Sequence, residues 1–316
     1  MPTFPLNPGA TPPIVDTSGT LIPTLYAKKL LERFYDASIA PQISNTDYEG
    51  EIRNMGDKVI MNRVPAININ PYRIGDTLTY QRPPTEVTEL NIDQGHYWGF
   101  SLDDVQNQQQ MLDMLGPWAE DASERLKITV DTNILTFLLG RCLPTNRGST
   151  AGRISANLNL GTVAAPLDIG NGTGQVNPIE LIVDLGTVLD EQNIPEASRK
   201  LVVPAWFAGM IKKSELRDAS LAGDSTSIVR NGRIGTIDRF EIYVSNLLPR
   251  PVAPPAPPNS AIYAIHPRAM TFATQLTKTE KLRAESTFGD LMRGLLVYGR
   301  QVIYPEALAE AIVRRA

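Results

Sequence analysis

Acid–base, nucleophilic and metal chemistry all require ionisable side chains converging at set distances, and this chain offers few of them. Its two histidines are His96, between Gly95 and Tyr97, and His266, before Pro267. Neither has a ligand or triad partner close in sequence, so both read as structural or exposed. Cys142 is the only cysteine, which excludes an internal disulfide framework and a cysteine-rich zinc site and points to a small buried thiol. Asp103-Asp104 are adjacent carboxylates of the kind that serve a helix dipole at its start. Gly170-Asn171-Gly172-Thr173-Gly174 lacks the lysine and the preceding apolar strand of a phosphate loop, and reads as a flexible turn. Asn171-Gly172-Thr173 fits a glycosylation sequon, which has no meaning without secretion. No GxxxxGK[ST], GxSxG, HExxH or paired CxxC occurs. No catalytic, cofactor-binding or metal-ligating residue is assigned, no cofactor is expected, and the chain does not read as an enzyme.

The strongest element is the stretch Pro117–Leu139. Trp118, Ala122, Leu126, Val130, Ile134 and Leu138 recur every fourth residue with Phe137 beside them, which predicts one helix with a continuous apolar stripe. Asp121 with Arg125 and Glu124 with Lys127 stand at pairing distances, acids early and bases late, as the helix dipole favours. Pro117 suits the first turn, and Gly140 stands where a left-handed cap is wanted. Such a helix is a rod of about 35 Å, long enough to be the spine of a flat domain.

With 316 residues the chain exceeds one typical domain, and two are expected, one inserted in the other. A net charge of −4 argues against tight general binding to nucleic acid or to an anionic membrane. No apolar run approaches a membrane span, and the start MPTFPLNPGATPP does not resemble a signal peptide, so a cytoplasmic protein is expected. Residues 1–23 read as an extended arm that something else must order, and Leu21–Ala40 as a helix stopped by Pro41. From Gly56 to Phe100 the sequence alternates strands and turns, with Gly75-Asp76 as a tip; Arg63, Arg73 and Arg82 decorate this ribbon. An isolated ribbon buries too little to stand alone, which implies a partner surface, and the arginines suit acidic groups on a neighbouring molecule.

Ser101–Asp104 reads as a cap leading into a short glutamine-rich helix, VQNQQQMLDML, and residues 140–174 as loop. Asn177-Pro178-Ile179-Glu180 opens a second unit as a helix start, with Leu181, Ile182, Leu185, Val188 and Leu189 on its buried face. A strand at Lys200–Val203, a helix opened by Pro204, a hairpin signal at Asn231-Gly232 with a strand over Thr236–Ser245, a stiff proline run at Pro249–Pro258 and a buried strand at Ala261–Ile265 follow. From Phe272 the chain returns to the first domain. The fold class is α+β, and an arm and a ribbon that both need neighbours point to self-assembly.

The order of parts, together with TLIPTLYAKKLLERFYD, EIRNMGDKVIMNRVP, KITVDTNIL, RKLVVPAWFAGMIKKSEL, RNGRIGTIDRFEIYVSNLL and GLLVYGRQVIYPEAL, resembles the major capsid protein of tailed double-stranded DNA bacteriophages, the Hong Kong 97-type fold. The resemblance implies an N-terminal arm at 1–45, an extended loop at 46–100, a peripheral domain at 101–175 with the spine helix at 117–139, an axial domain inserted at 176–271, and peripheral return strands at 272–316. It implies a structural function, with hexamers and pentamers closing an icosahedral head around packaged DNA. Each extended loop would lie over a neighbour's peripheral domain. Arg63, Arg73, Arg82, Tyr72 and Asp76 on the loop, with Glu32 and Arg33 on the arm helix, are the candidate contacts between subunits. The implied partners are many copies of the chain itself, a separate scaffolding protein, a portal, an optional cement protein, and packaged DNA held weakly and non-specifically, with no membrane. The implied location is the virion, assembled in the host bacterial cytoplasm. Some family members join a loop lysine to a peripheral asparagine, but Lys58 is the only loop lysine and no asparagine follows Asn259, so no such cross-link is expected. A soluble α/β enzyme with a site near Pro204 and His266 is the rival reading. Another phage structural protein, such as a tube or decoration subunit, is the third, and the long spine helix disfavours it.

Overall fold

The structure, a computed structural model, describes residues 39–47, 58–65, 67–83, 86–104, 115–170, 172–213, 235–251, 259–284 and 288–316. The helical pattern over Leu21–Ala40 apart from its end, the arm contacts Glu32 and Arg33, the glutamine-rich segment, the Asn231-Gly232 signal and most of the proline run lie outside these residues. Its elements in chain order are α1 (Ala40–Ile43), β1 (Lys58–Arg63), β2 (Glu86–Asn91), β3 (Gln94–Asp103), α2 (Leu115–Leu138), β4 (Leu167–Ile169), α3 (Pro178–Glu191) and β5 (Arg199–Val203). There follow α4 (Ala205–Lys213), β6 (Thr236–Ile237), β7 (Phe240–Val244), β8 (Ser260–Ile265), β9 (Met270–Arg283), β10 (Gly289–Val302) and β11 (Leu308–Arg315).

The stripe on α2 divides its work between two sheets. Its C-terminal half lays Val130, Ile134, Leu135 and Leu138 into a core shared with Val202, Tyr263, Ile265, Leu308 and Ile312. These strand residues come from one face of a six-stranded sheet of order β4-β11-β8-β5-β7-β6. On the opposite face Leu201, Val203, Phe240, Ile262, Ala264 and Ala311 pack against Leu181, Leu185, Val188 and Leu189 of α3 and Phe207 and Ile211 of α4. Helices therefore cover the sheet on both sides, which is why β8 is buried at every residue rather than at every second one. The N-terminal half of α2 meets the three-stranded antiparallel sheet β3-β10-β9, where Phe100 and Trp118 pack edge to face with centroids 5.6 Å apart.

Local signals explain most of these boundaries. Asp121–Arg125 and Glu124–Lys127 pair at 3.0 and 2.5 Å, and Gly140 takes φ +71° just beyond the helix end. Its N–H donates to Glu310 at 2.6 Å, which ties the end of α2 to β11. The Asn177 side chain accepts from Ile179 N at 3.0 Å and caps α3 as its sequence predicts. Arg199, wholly buried, donates to the carbonyls of Gly186, Ile194 and Pro195 and pairs with Asp190 at 2.7 Å.

Several expectations need correction. Pro41, expected to stop a helix whose body lies outside the described residues, sits in the first turn of α1, where its missing N–H costs nothing. Gln94–Asp103 is not part of the ribbon: it pairs with β10 from Gln94↔Tyr298 to Asp103↔Gly289, because His96, Trp98 and Phe100 alternate onto the α2 side. Ser101–Asp103 are the last residues of β3, Asp104 directly after them is helical as the cap reading expects, and its carboxylate pairs with Arg283. The expected strand over Thr236–Ser245 is a hairpin turning on Asp238 and Arg239, both at positive φ, with Arg239 held by Asp190 at 3.1 Å and Glu196 at 2.5 Å. The six-stranded sheet also takes β4 and β11 from outside residues 176–271, so that stretch does not close a sheet by itself. The stretch LAEAIVRR is rich in helix formers, yet it enters the middle of a sheet because Leu308, Ala309, Ala311, Ile312 and Val313 fill both of its faces.

Candidate assembly surface

Lys58 to Arg63 pair with Asn91 to Glu86 in an antiparallel ladder, and this is the whole of the ribbon's hydrogen-bonded base. Met61 and Leu90 bury against Ala273 and Ile303, so the base has a small core against the end of the three-stranded sheet. Gly299 makes the approach feasible: a Cβ there would meet Asn91 O at 2.4 Å. Arg63, a candidate contact between subunits, pairs with Glu306 of its own chain at 2.6 Å and lies 4.8 Å over the Tyr304 ring. It braces the ribbon on the body through Glu306 at the ribbon's foot.

Beyond the ladder the chain runs out and back without strand partners among the described residues. A turn at Arg73–Asp76 forms the tip, with Asp76 N donating to Arg73 O at 3.0 Å and Gly75 at φ +97°. The Asp76 carboxylate accepts from Arg73 N at 2.8 Å, so this candidate contact shapes the turn. Tyr72 is 65 % exposed, and among the described residues Arg73 and Arg82 have no acidic partner. The apolar side chains are the less expected feature. Ile69 is 95 %, Ile74 100 % and Tyr80 91 % exposed, with Val64, Ile67 and Leu78 also in solvent. Contiguous exposed apolar surface of this kind marks a site of interaction. Sequence reasoning fixed on the arginines and passed over these residues, although the alternation Ile67-Asn68-Ile69-Asn70 signals a two-faced strand needing cover on one side.

A groove of about 430 Å³ runs between α2 and β3, lined by Tyr97, Trp98, Phe100, Trp118, Arg125 and Leu126 among others. His96 lies at its inner end, 2.7 Å from Asn133 Nδ2 and 3.2 Å from the Tyr298 hydroxyl, a packing role that agrees with its structural reading. His266 accepts from Arg268 N at 3.3 Å; burial, then the charges of Arg268 and Arg199, hold its imidazole below the usual value. Pro204 and His266 do not converge. β5 and β8 are antiparallel, so the residues after each lie at opposite ends of the sheet. Cys142 is buried, and burial together with Glu310 pushes its thiol up to about 12. Gly172 N donates to the Gln175 side chain at 2.8 Å, consistent with a turn there. Among the described residues no group of His, Cys, Asp and Glu could hold a metal ion, and no helix is long and apolar enough to cross a membrane.

Comparison with known proteins agrees with this geometry. No curated protein matches the chain. Among solved structures it is similar to that of Mycobacterium phage Che8, with 23% identity, a TM-score of 0.72, and coverage of 92% of this chain and 97% of the other. It is also similar to the capsid of cyanophage P-SCSP1u, with 18% identity, a TM-score of 0.70 and coverage of 96% and 97%. The capsid of Ralstonia phage GP4 shares the fold at 11% identity, with a TM-score of 0.63 and coverage of 97% and 99%. The family model for phage capsid proteins matches residues 85–311. With most of its length inside that match and its α+β architecture shared with phage capsids, the chain belongs to the phage capsid protein family.

Proposed function

We infer that this chain is the major shell-forming subunit of a tailed-phage head, with hexamers and pentamers closing an icosahedral shell around double-stranded DNA. The observation that carries the reading is the ribbon, whose Ile69, Ile74 and Tyr80 are more than nine-tenths exposed in one copy. Covering such surface is the main favourable term in most protein association. The ribbon of each copy lies over the three-stranded sheet and spine helix of a neighbour, where the aromatic groove offers an apolar seat and Arg73 and Arg82 find acidic partners. The three-stranded sheet with the first half of α2 forms the peripheral part, and the six-stranded sheet with α3 and α4 forms the axial part. A separate scaffolding protein sets shell size, a portal occupies one vertex, a cement protein is an optional addition, and DNA contacts are weak and non-specific. The product is a virion component assembled in the host cytoplasm. Sedimentation and negative-stain microscopy of the purified chain test this: capsomers or shells are expected, and a small monodisperse species with protected ribbon amides at high dilution overturns it. Shells of one uniform size from the chain alone would remove the scaffolding protein from the scheme. A covalent ladder on a denaturing gel would contradict the expected absence of a lysine–asparagine cross-link.

A further inference from the structure

A cleft of about 290 Å³ opens at the carboxyl ends of β5, β7 and β11, well away from the ribbon. These three strands run parallel, β5 with β7 directly and β11 through the intervening antiparallel β8. Crevices outside the carboxyl ends of strands are where open α/β sheets hold ligands. The walls include Trp206 at the start of α4, Ser245, Arg250, Ser260, Arg314 and Arg315, and among the described residues no acidic side chain lines the cleft. Arg314 is engaged by Asp168 in a two-pronged pair at 2.6 and 2.7 Å. Arg250 and Arg315 have no acidic partner among the described residues, which leaves two uncompensated positive charges facing one concave site.

The serines point the same way. Ser260 lines the cleft, and among the described residues no side chain or carbonyl engages its hydroxyl. Ser245, 4 % exposed, accepts from Leu247 N at 3.2 Å and keeps its own O–H as a donor. Two guanidinium forks with spare hydroxyl donors and no carboxylate suit an oxyanion carrying two negative charges. We propose that this cleft binds a phosphate group between Arg250 and Arg315, with Ser260 donating to it, supplied either as the free ion or by a nucleic-acid backbone. The inference does not depend on shell assembly.

The test is calorimetric titration of the purified full-length chain with sodium phosphate, against sodium chloride at matched ionic strength, and separately with a short DNA duplex. One phosphate per chain is expected. Losing a charge-assisted hydrogen bond weakens binding by about tenfold or more, so Arg250→Gln should bind at least that much more weakly, and Ser260→Ala more weakly than wild type. Arg250 is exposed, so its substitution removes no packed contact, and Arg315→Gln serves as a second variant. Arg141→Gln, whose arginine lies over Phe137 and does not line the cleft, should bind as wild type. If the duplex competes with phosphate and Arg250→Gln abolishes the competition, the backbone is the source; if phosphate alone binds, the free ion is. Heats for phosphate that match those for chloride, or unchanged binding by both arginine variants, overturn the proposal.

Discussion

Replacing Ile69 and Ile74 together by serine separates the stability of one subunit from that of the shell. Both side chains are almost wholly exposed, at 95 % and 100 %, and pack on nothing in their own chain. Surface substitutions away from packed features change stability by no more than about 0.5 kcal/mol, so the unassembled variant should melt as wild type does. If each isoleucine is buried under assembly, its loss costs about 1.5–3 kcal/mol, or roughly 3–6 kcal/mol per copy. At 1.4 kcal/mol per factor of ten, the concentration threshold for assembly should rise by about two to four powers of ten. Sedimentation velocity over a dilution series reads that threshold, and thermal unfolding of the dissociated chain supplies the control. An unchanged threshold would show that these residues stay in solvent in the shell. A melting temperature lowered by many degrees would show that they pack within their own subunit, and either result refutes the reasoning.

Three further outcomes are expected. Gly299→Ala should destabilise by about 1–3 kcal/mol and loosen the ribbon foot, seen as faster amide exchange in β1 and β2, because the added Cβ meets Asn91 O at 2.4 Å; wild-type exchange would mean the ladder shifts freely. Burial raises the Glu310 carboxyl above the usual 4.5, with the Gly140 N–H and Arg147 opposing, so the folded chain holds that proton more tightly than the unfolded one. The stability from this group is therefore fully present below pH 4.5 and is lost as pH rises through the shifted value. Glu310→Gln keeps an acceptor for Gly140 without the charge, so the variant's melting temperature minus that of wild type should grow from acid to neutral pH, and a flat difference would be contrary. Cys142, with its thiol pushed up to about 12, should resist disulfide reagents at pH 8 in the folded chain and react once denatured; rapid native labelling would contradict its burial.

The features that sequence revealed are those in which neighbouring residues carry their own signal. The fourfold stripe of α2, the Asn177 cap of α3 and the buried run of β8 each depend on contacts a few residues apart, and each stands where its pattern placed it. The ribbon was legible as extended chain needing cover. Its division was not, because whether Gln94–Asp103 follows β2 or joins β10 is decided by residues about 195 positions later in the chain. β11 was hidden for a related reason: alanine, glutamate and arginine carry no strand signal, and burial on both faces overrides local preference. The intramolecular partner of Arg63 was not legible either, because a charge on a ribbon says nothing of the Glu306 that meets it across 243 positions. The phosphate cleft draws its walls from four separated segments, and no motif spans them.

The place of β11 also bears on how the subunit is made. It sits between β4 and β8, so a nascent chain that has emerged only as far as β10 holds the six-stranded sheet in two unjoined parts. Synthesis proceeds from the N-terminal side, and the ribbon is therefore out of the ribosome long before the body can close. The strand that joins the parts also carries Glu310 to the end of the spine helix. Until β11 emerges, the three-stranded sheet and the spine helix are already synthesised, but the helix lacks the Glu310 contact at its C-terminal end and the six-stranded sheet cannot close.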